Sequence, residues 1–271
     1  MLDYKLRLVS ILIVLTVLVI GCLVLDYFHL RRRPWRPGLY LGILGIAGAV
    51  FLTSNAVLPT SLFYGAVVYQ GPSVEKLVAL TYDDGPNPPY TLQILDILDK
   101  YSVKATFFLV GENVRTYPEV ARTIVQRGHQ VGNHTFHHED LLKLNRTQMD
   151  KEIDATTELI EAATGVSPKV FRPPHGFRDL VVLEQAQERN LRVIQWSVMP
   201  RDWKKPGAEV IAERVVRQVH NGAIILMHDG DGLNHGGDRS QSVTATELVI
   251  QRLQQQGYRF VTIDELLASN R

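Results

Sequence analysis

The sequence predicts an α/β fold, a parallel sheet open or closed into a barrel, preceded by a membrane-embedded N-terminal segment. Three observations predict it. Two long uncharged apolar runs precede residue 60, short apolar runs alternate with amphipathic stretches from residue 74 onward, and Gly, Pro, Asn and Asp punctuate the changes.

The apolar runs come first. Residues 8–25, LVSILIVLTVLVIGCLVL, and 38–58, GLYLGILGIAGAVFLTSNAVL, carry no charge. As helices they reach roughly 27 and 32 Å, near the thickness of a hydrocarbon core. The linker DYFHLRRRPWRP holds four arginines, with a Trp and a Tyr suited to a membrane interface. The positive-inside rule puts it in the cytoplasm and everything after residue 60 outside. Residues 1–70 thus read as a cell-membrane anchor with two spans, meeting the lipid bilayer through residues 8–58. Residues 71–271 read as an extracytoplasmic domain. Val19-Ile20-Gly21-Cys22 resembles a lipoprotein processing box. Cleavage there would leave the second run to carry the chain inward and strand RRR outside, and a signal peptide meets the same objection.

Composition narrows the function. Residues 1–70 carry six Lys/Arg against two Asp/Glu, and residues 71–271 carry 23 against 26, so the main domain is mildly acidic. That argues against nucleic acid as a partner. Cys22 is the single cysteine, so no intrachain disulfide supports the fold.

Strands are expected at 76–82, 105–110, 170–172, 192–197, 223–227 and 259–263. The helix over 90–101 follows from Leu92, Leu95 and Leu98, and that over 113–127 ends at Gly128. Asn145 with Gln148 reads as a capping box opening a third helix, whose Met149, Ile153 and Ile160 recur at helical spacing before Gly165. Helices over 208–220 and 243–256 complete the alternation. In such sheets chemistry gathers where strands end.

Two stretches carry candidate chemistry. TYDDGP, residues 81–86, ends the first strand in two adjacent carboxylates, whose repulsion calls for a cation or donors. GNHTFHH, residues 132–138, holds His134 and His138 four apart, which on a helical turn would face one side and suit a single metal ion. His137, at three apart, leaves the pair ambiguous.

With RPPHG at 172–176, RDW at 201–203 and LMH at 226–228, these stretches resemble, in order, the five motifs of NodB-type polysaccharide deacetylases, carbohydrate esterase family 4. The resemblance spans residues 75–267. It implies a distorted (β/α) barrel holding one divalent metal ion, usually zinc, with cobalt or nickel as other occupants. Carried over, the ligands are Asp84, His134 and His138. Three protein ligands leave a position for water, whose pKa a divalent ion brings to about 7. The resemblance makes Asp83 the general base, Arg172 the group that holds it, and His228 the general acid tuned by Asp202. It makes the His175 backbone N–H an oxyanion donor, and Trp203 and Leu226 the walls of the acetyl pocket.

Three positions depart from the family pattern: Tyr82 for the commoner Phe, His175 for Tyr, and Met199 for an acidic residue. His129, His220 and His235 read as structural or solvated, and HDGDGLNHGGDRS at 228–240 as a mobile Gly-rich rim rather than a calcium loop. The expected function is removal of N-acetyl groups from a cell-surface glycan such as peptidoglycan or a chitin-like polymer. Two alternatives are a deacetylase or deformylase of a lipid-linked sugar, and a catalytically silent glycan-binding protein.

Overall fold

A computed structural model describes residues 7–29 and 37–269. Helices α1 (Leu8–His29) and α2 (Pro37–Val57) open the chain. Both are long and apolar enough to cross a membrane, and most of each is exposed, with Leu8 and Ala56 buried at the open end of the pair. They pack on each other along a glycine seam: a Cβ on Gly38 would lie 2.4 Å from the Cys22 carbonyl oxygen, and one on Gly45 would lie 2.6 Å from the Val19 side chain. Asp26 Oδ2 accepts the Leu39 N–H at 2.8 Å and caps α2. The four linker arginines, on which the expected orientation rests, lie outside the described residues.

Seven parallel strands follow. They are β1 (Leu77–Gly85), β2 (Thr106–Leu109), β3 (Gln130–Asn133), β4 (Val170–Phe171), β5 (Arg192–Val193), β6 (Ala223–His228) and β7 (Arg259–Phe260). The order is β5-β4-β3-β2-β1-β6, with β7 pairing the first residues of β1. The sheet curls, and single bridges join its ends: Val198 to Ile225, Val68 to Ile194 and Gln70 to Ala223. This is the curled, barrel-like parallel sheet that the sequence predicts. Its register sets the site, because Asp83 lies opposite Phe108 on one side and His228 on the other.

Helices α3 (Tyr90–Lys100), α4 (Gly111–Thr116), α5 (Pro118–Gln126), α6 (Arg146–Thr164), α7 (Leu180–Glu188), α8 (Ala208–Gln218), α9 (Ser240–Gln255) and α10 (Ile263–Ala268) complete the chain. The capping box forms, with Asn145 Oδ1 accepting the Gln148 N–H at 3.0 Å, and Gly165 ends α6 at φ +75°. Met149, Ile153 and Ile160 are fully buried. Tyr82 is buried too; its ring stacks on Phe107 at 5.1 Å and its hydroxyl meets Thr246 Oγ1 at 2.8 Å. That partner accommodates a hydroxyl where Phe is the commoner residue.

Four expectations need correction. The single helix over 113–127 is two, because Pro118 starts α5 and holds Tyr117 out of helical geometry. Strand β3 was not expected, being four residues with Gly in the middle and polar ends. Helices α7 and α10 were not expected either. The ladder of β5 covers two residues rather than six, since the chain beyond it crosses to meet Val68 and Ile225.

Candidate active site

The site lies at the C-terminal ends of β1, β3, β4 and β6. Asp83 and Asp84 belong to the last turn of β1, His134 follows β3, Arg172 follows β4, and His228 ends β6. All of these but Arg172 line a cleft of about 590 Å³, together with His138, His175, Trp203 and Leu226.

Asp84, His134 and His138 offer ligand atoms within 4.8 Å of one another. His134 Nε2 and His138 Nε2 lie 3.5 and 3.1 Å from Asp84 Oδ1, yet that buried oxygen has no hydrogen-bond partner. Two nitrogens aimed at an orphaned carboxylate oxygen fit a divalent cation by donor chemistry and spacing. His134 Nδ1 donates to the Arg172 carbonyl at 2.6 Å, which fixes the tautomer and frees Nε2. Burial alone would raise the Asp84 carboxyl, but the two imidazoles outweigh it and hold the group well below the usual carboxylate range.

The histidines do not share a helical turn. The segment after β3 is a tight turn with Thr135 at φ +66° and His138 at φ +57°, and the rings meet at 5.0 Å. Glu152 of α6 shapes that turn, accepting the N–H groups of Phe136 and His137 at 3.0 and 2.8 Å. It also takes His137 Nδ1 at 2.6 Å, which settles which two histidines face Asp84.

Asp83 is held by Arg172, Nη1 to Oδ1 at 2.6 Å, and its second oxygen lies 3.8 Å from His134 Nε2. Arg172 is fully buried, spends its other donors on Thr81 Oγ1 and the Ile194 and Gln195 carbonyls, and stacks over Phe108 at 4.1 Å. Such a pair is costly to break from one side, about 3–5 kcal/mol.

Opposite, His228 Nδ1 donates to Asp202 Oδ1 at 2.9 Å, and the His228 N–H and Ser242 Oγ reach Asp202 Oδ2, each at 2.8 Å. Burial opposes a charge on His228, but the Asp202 carboxylate prevails and pushes it up to about 9. Trp203 lies edge-on to that imidazole at 5.2 Å, and Leu226 lies beside it on β6. His175 sits at φ +59°, its ring 5.0 Å from that of His138. Eight of the ten residues singled out from the sequence thus line one cleft, and Arg172 and Asp202 back Asp83 and His228 from behind it.

Other residues of the site lie outside the sequence motifs. Asn113 Nδ2 donates to the Asp84 carbonyl at 2.8 Å and to the Gly232 carbonyl at 2.9 Å. Asp229 lies behind the site, accepting Thr91 Oγ1 at 2.5 Å, and burial pushes its carboxyl up to about 7. Gly230 is dictated by contact, since a Cβ there would lie 2.1 Å from the Asp84 carbonyl oxygen. The signal for both was present: MHDG repeats the strand-then-Asp-Gly texture of TYDDG. The 228–240 rim is pinned, because the buried Arg239 donates to the Gly230 carbonyl and to Asp231. His129 is structural: Nδ1 accepts the Ala105 N–H, and burial takes the ring down to about 4. Met199 lines the cleft and packs against the core.

Three comparisons bear on this geometry. The polysaccharide deacetylase sequence profile matches residues 70–194. A peptidoglycan-N-acetylglucosamine deacetylase of Bacillus cereus is 39% identical over 205 residues, 75% of this chain and 93% of that one. The crystal structure of the Bc1960 peptidoglycan N-acetylglucosamine deacetylase superposes with a TM-score of 0.71 at 38% identity, covering 74% of this chain and 92% of that one. BA3943 of Bacillus anthracis, a CE4 family pseudoenzyme, follows at 0.68 and 37%, covering 74% and 69%. The chain belongs to the polysaccharide deacetylase family, carbohydrate esterase family 4.

Proposed function

We propose that the protein is a membrane-anchored, metal-dependent N-deacetylase acting outside the cell membrane on an N-acetylated glycan, peptidoglycan foremost. Residues 1–70 form the two-span anchor and 71–271 the deacetylase domain. The observation that carries this reading is the orphaned Asp84 oxygen between His134 and His138, with Asp83 and His228 paired across β1 and β6 in the same cleft.

Asp84, His134 and His138 would hold the divalent ion, zinc first, with cobalt or nickel as substitutes. Such an ion, when bound, polarises the acetamide carbonyl and brings the pKa of water to about 7. Asp83 accepts the proton of the attacking water at Oδ2, while Arg172 keeps Oδ1 engaged. The His175 N–H offers a hydrogen bond to the developing oxyanion. His228, with Nδ1 committed to Asp202, delivers a proton from Nε2 to the departing amine. Trp203 and Leu226 wall the acetyl methyl.

A lipid-linked amino sugar is the second reading, supported by hydrogen bonds between the loop after His175 and the chain ending α2. The pseudoenzyme relative gives weight to a third, glycan binding without turnover, and the complete Asp83, Arg172, Asp202 and His228 set supports turnover over it. The deciding experiment follows acetate release by the detergent-solubilised full chain from peptidoglycan, N-acetylglucosamine oligomers and a lipid-linked amino sugar. Acetate equimolar with new free amine is expected, abolished by chelator and restored by zinc. Binding of glycan without acetate, with metal supplied, would overturn the reading.

A further inference from the structure

Two adjacent residues beyond the site motifs, Arg178 and Asp179, lie three and four positions past His175 and are almost completely buried. Arg178 faces no carboxylate among the described residues. Its guanidinium donates instead to the Leu58, Pro59 and Ser61 carbonyls, at 2.6, 3.3 and 2.8 Å, and to the Gly176 carbonyl at 3.1 Å. Its backbone N–H takes the Ala56 carbonyl at 3.1 Å. These acceptors include the last turn of α2 and the residues just beyond it, where a helix leaves carbonyls unpaired and carries its negative end. Asp179 does the converse for α1. Its Oδ2 pairs with Arg7 Nε at 3.0 Å and lies 3.4 Å from the Leu8 N–H, while Oδ1 caps α7 through the Val182 N–H.

An antiparallel helical hairpin presents at its open end one positive and one negative helix terminus, side by side. A neighbouring Arg and Asp match both at once. Gly176, held from one side by Arg178 and from the other by Gln195 Nε2 at 3.2 Å, adjoins His175, whose φ of +59° the loop has to maintain.

We propose that Arg178 and Asp179 couple the membrane hairpin to the active-site loop, making Arg178 a positioning residue for the His175 backbone and the hairpin part of the catalytic architecture. The hairpin then does more than tether. Its outer end completes the hydrogen bonding of a buried cation that would otherwise be left bare.

The activity arm of the test rests on the deacetylase reading; the exchange arm does not. Full-length wild type, Arg178→Ala, Arg178→Lys and Asn55→Ala are compared in lipid nanodiscs with zinc supplied. Asn55 accepts Ser61 Oγ at 2.6 Å and touches no cleft residue, so its loss loosens the chain end after α2 from the hairpin side. Expected for Arg178→Ala are at least a tenfold fall in kcat, with KM and bound zinc within twofold. Arg178→Lys should recover part of kcat, and Asn55→Ala should lose about threefold. Hydrogen exchange should rise at least fivefold in both 56–61 and 173–179 together. Unchanged kcat in active protein, or faster exchange confined to 173–179, overturns the coupling. Joint exchange changes in a chain whose wild type releases no acetate uphold the coupling and overturn the deacetylase reading instead.

Discussion

Two imidazole–carboxylate pairs flank the cleft of this protein, and they differ instructively. His228 with Asp202, at 2.9 Å, and His137 with Glu152, at 2.6 Å, look alike as contacts. Their surroundings do not. Asp202 is fully buried and held by three donors, so the free Nε2 of His228 faces the cleft beside Asp83 and Trp203. The His137 side chain is half exposed, its ring rests against Phe136, and its carboxylate partner is busy with two backbone N–H groups. In the proposed mechanism the first pair moves a proton. The other is built to hold a turn. Distance alone does not separate them; what the second nitrogen faces does.

The largest break in this comparison is His228→Ala. If His228 is the proton donor for a poor leaving group, as proposed, its removal is expected to cut kcat about a thousandfold, with zinc content unchanged. Acetate release and elemental analysis on the same sample check it. A fall below tenfold would put the proton on another group.

Asp202→Asn comes next, at roughly a hundredfold, and it has a signature in pH. With His228 raised to about 9, its protonated form dominates below that pH and is lost as pH climbs through 9, so activity that needs the acid declines on that limb. The stability contributed by the pair runs the same way, whole below about 6.5 and gone above 9. An amide in place of the carboxylate removes the main cause of the rise, leaving Asp84 and Asp83, while burial continues to lower the ring, so the alkaline limb moves to lower pH. A limb that stays in place in the kcat profile would detach it from His228.

How far this distinction was legible beforehand depends on the element. The strand-then-acid texture placed Asp83, Asp84 and His228 at strand ends, because apolar runs and Asp-Gly turns are local signals. The histidine cluster was readable only to the level of three candidates. Choosing among them required Glu152, fifteen residues after His137 on helix α6, and a turn with left-handed residues that no periodicity announces. Strand β3, which carries His134 into the cleft, is held by pairing to β2 rather than by its own composition. Arg178 and Asp179 had no local signal at all, since their partners lie more than a hundred residues upstream.

A smaller effect is expected at Glu152. Glu152→Ala removes the acceptor of two backbone N–H groups and of His137 Nδ1 at a site that is nearly closed to water. Unmet backbone donors of this kind cost about 1–3 kcal/mol each, so for two of them a destabilisation of roughly 2–6 kcal/mol is expected by thermal or denaturant unfolding. Because the same turn carries His138, zinc affinity should fall about tenfold in a competition titration while kcat at saturating zinc changes less than threefold. A kcat loss as large as that of His228→Ala would erase the distinction between the two pairs.

The smallest effect sharpens the comparison most. His137→Ala leaves Glu152 with its two backbone donors and takes away one bond from a ring already half in water. The expected cost is under about 1 kcal/mol of stability, the range for a partly solvated contact. Neither kcat nor zinc affinity should move by more than twofold, because Nδ1 is committed to Glu152 and His134 and His138 are the rings that face Asp84. Zinc titration and acetate release on this variant, run beside His138→Ala, separate the two readings of the histidine cluster. If His137→Ala loses the metal and His138→Ala keeps it, the turn rearranges on loading and the ligand is the other imidazole.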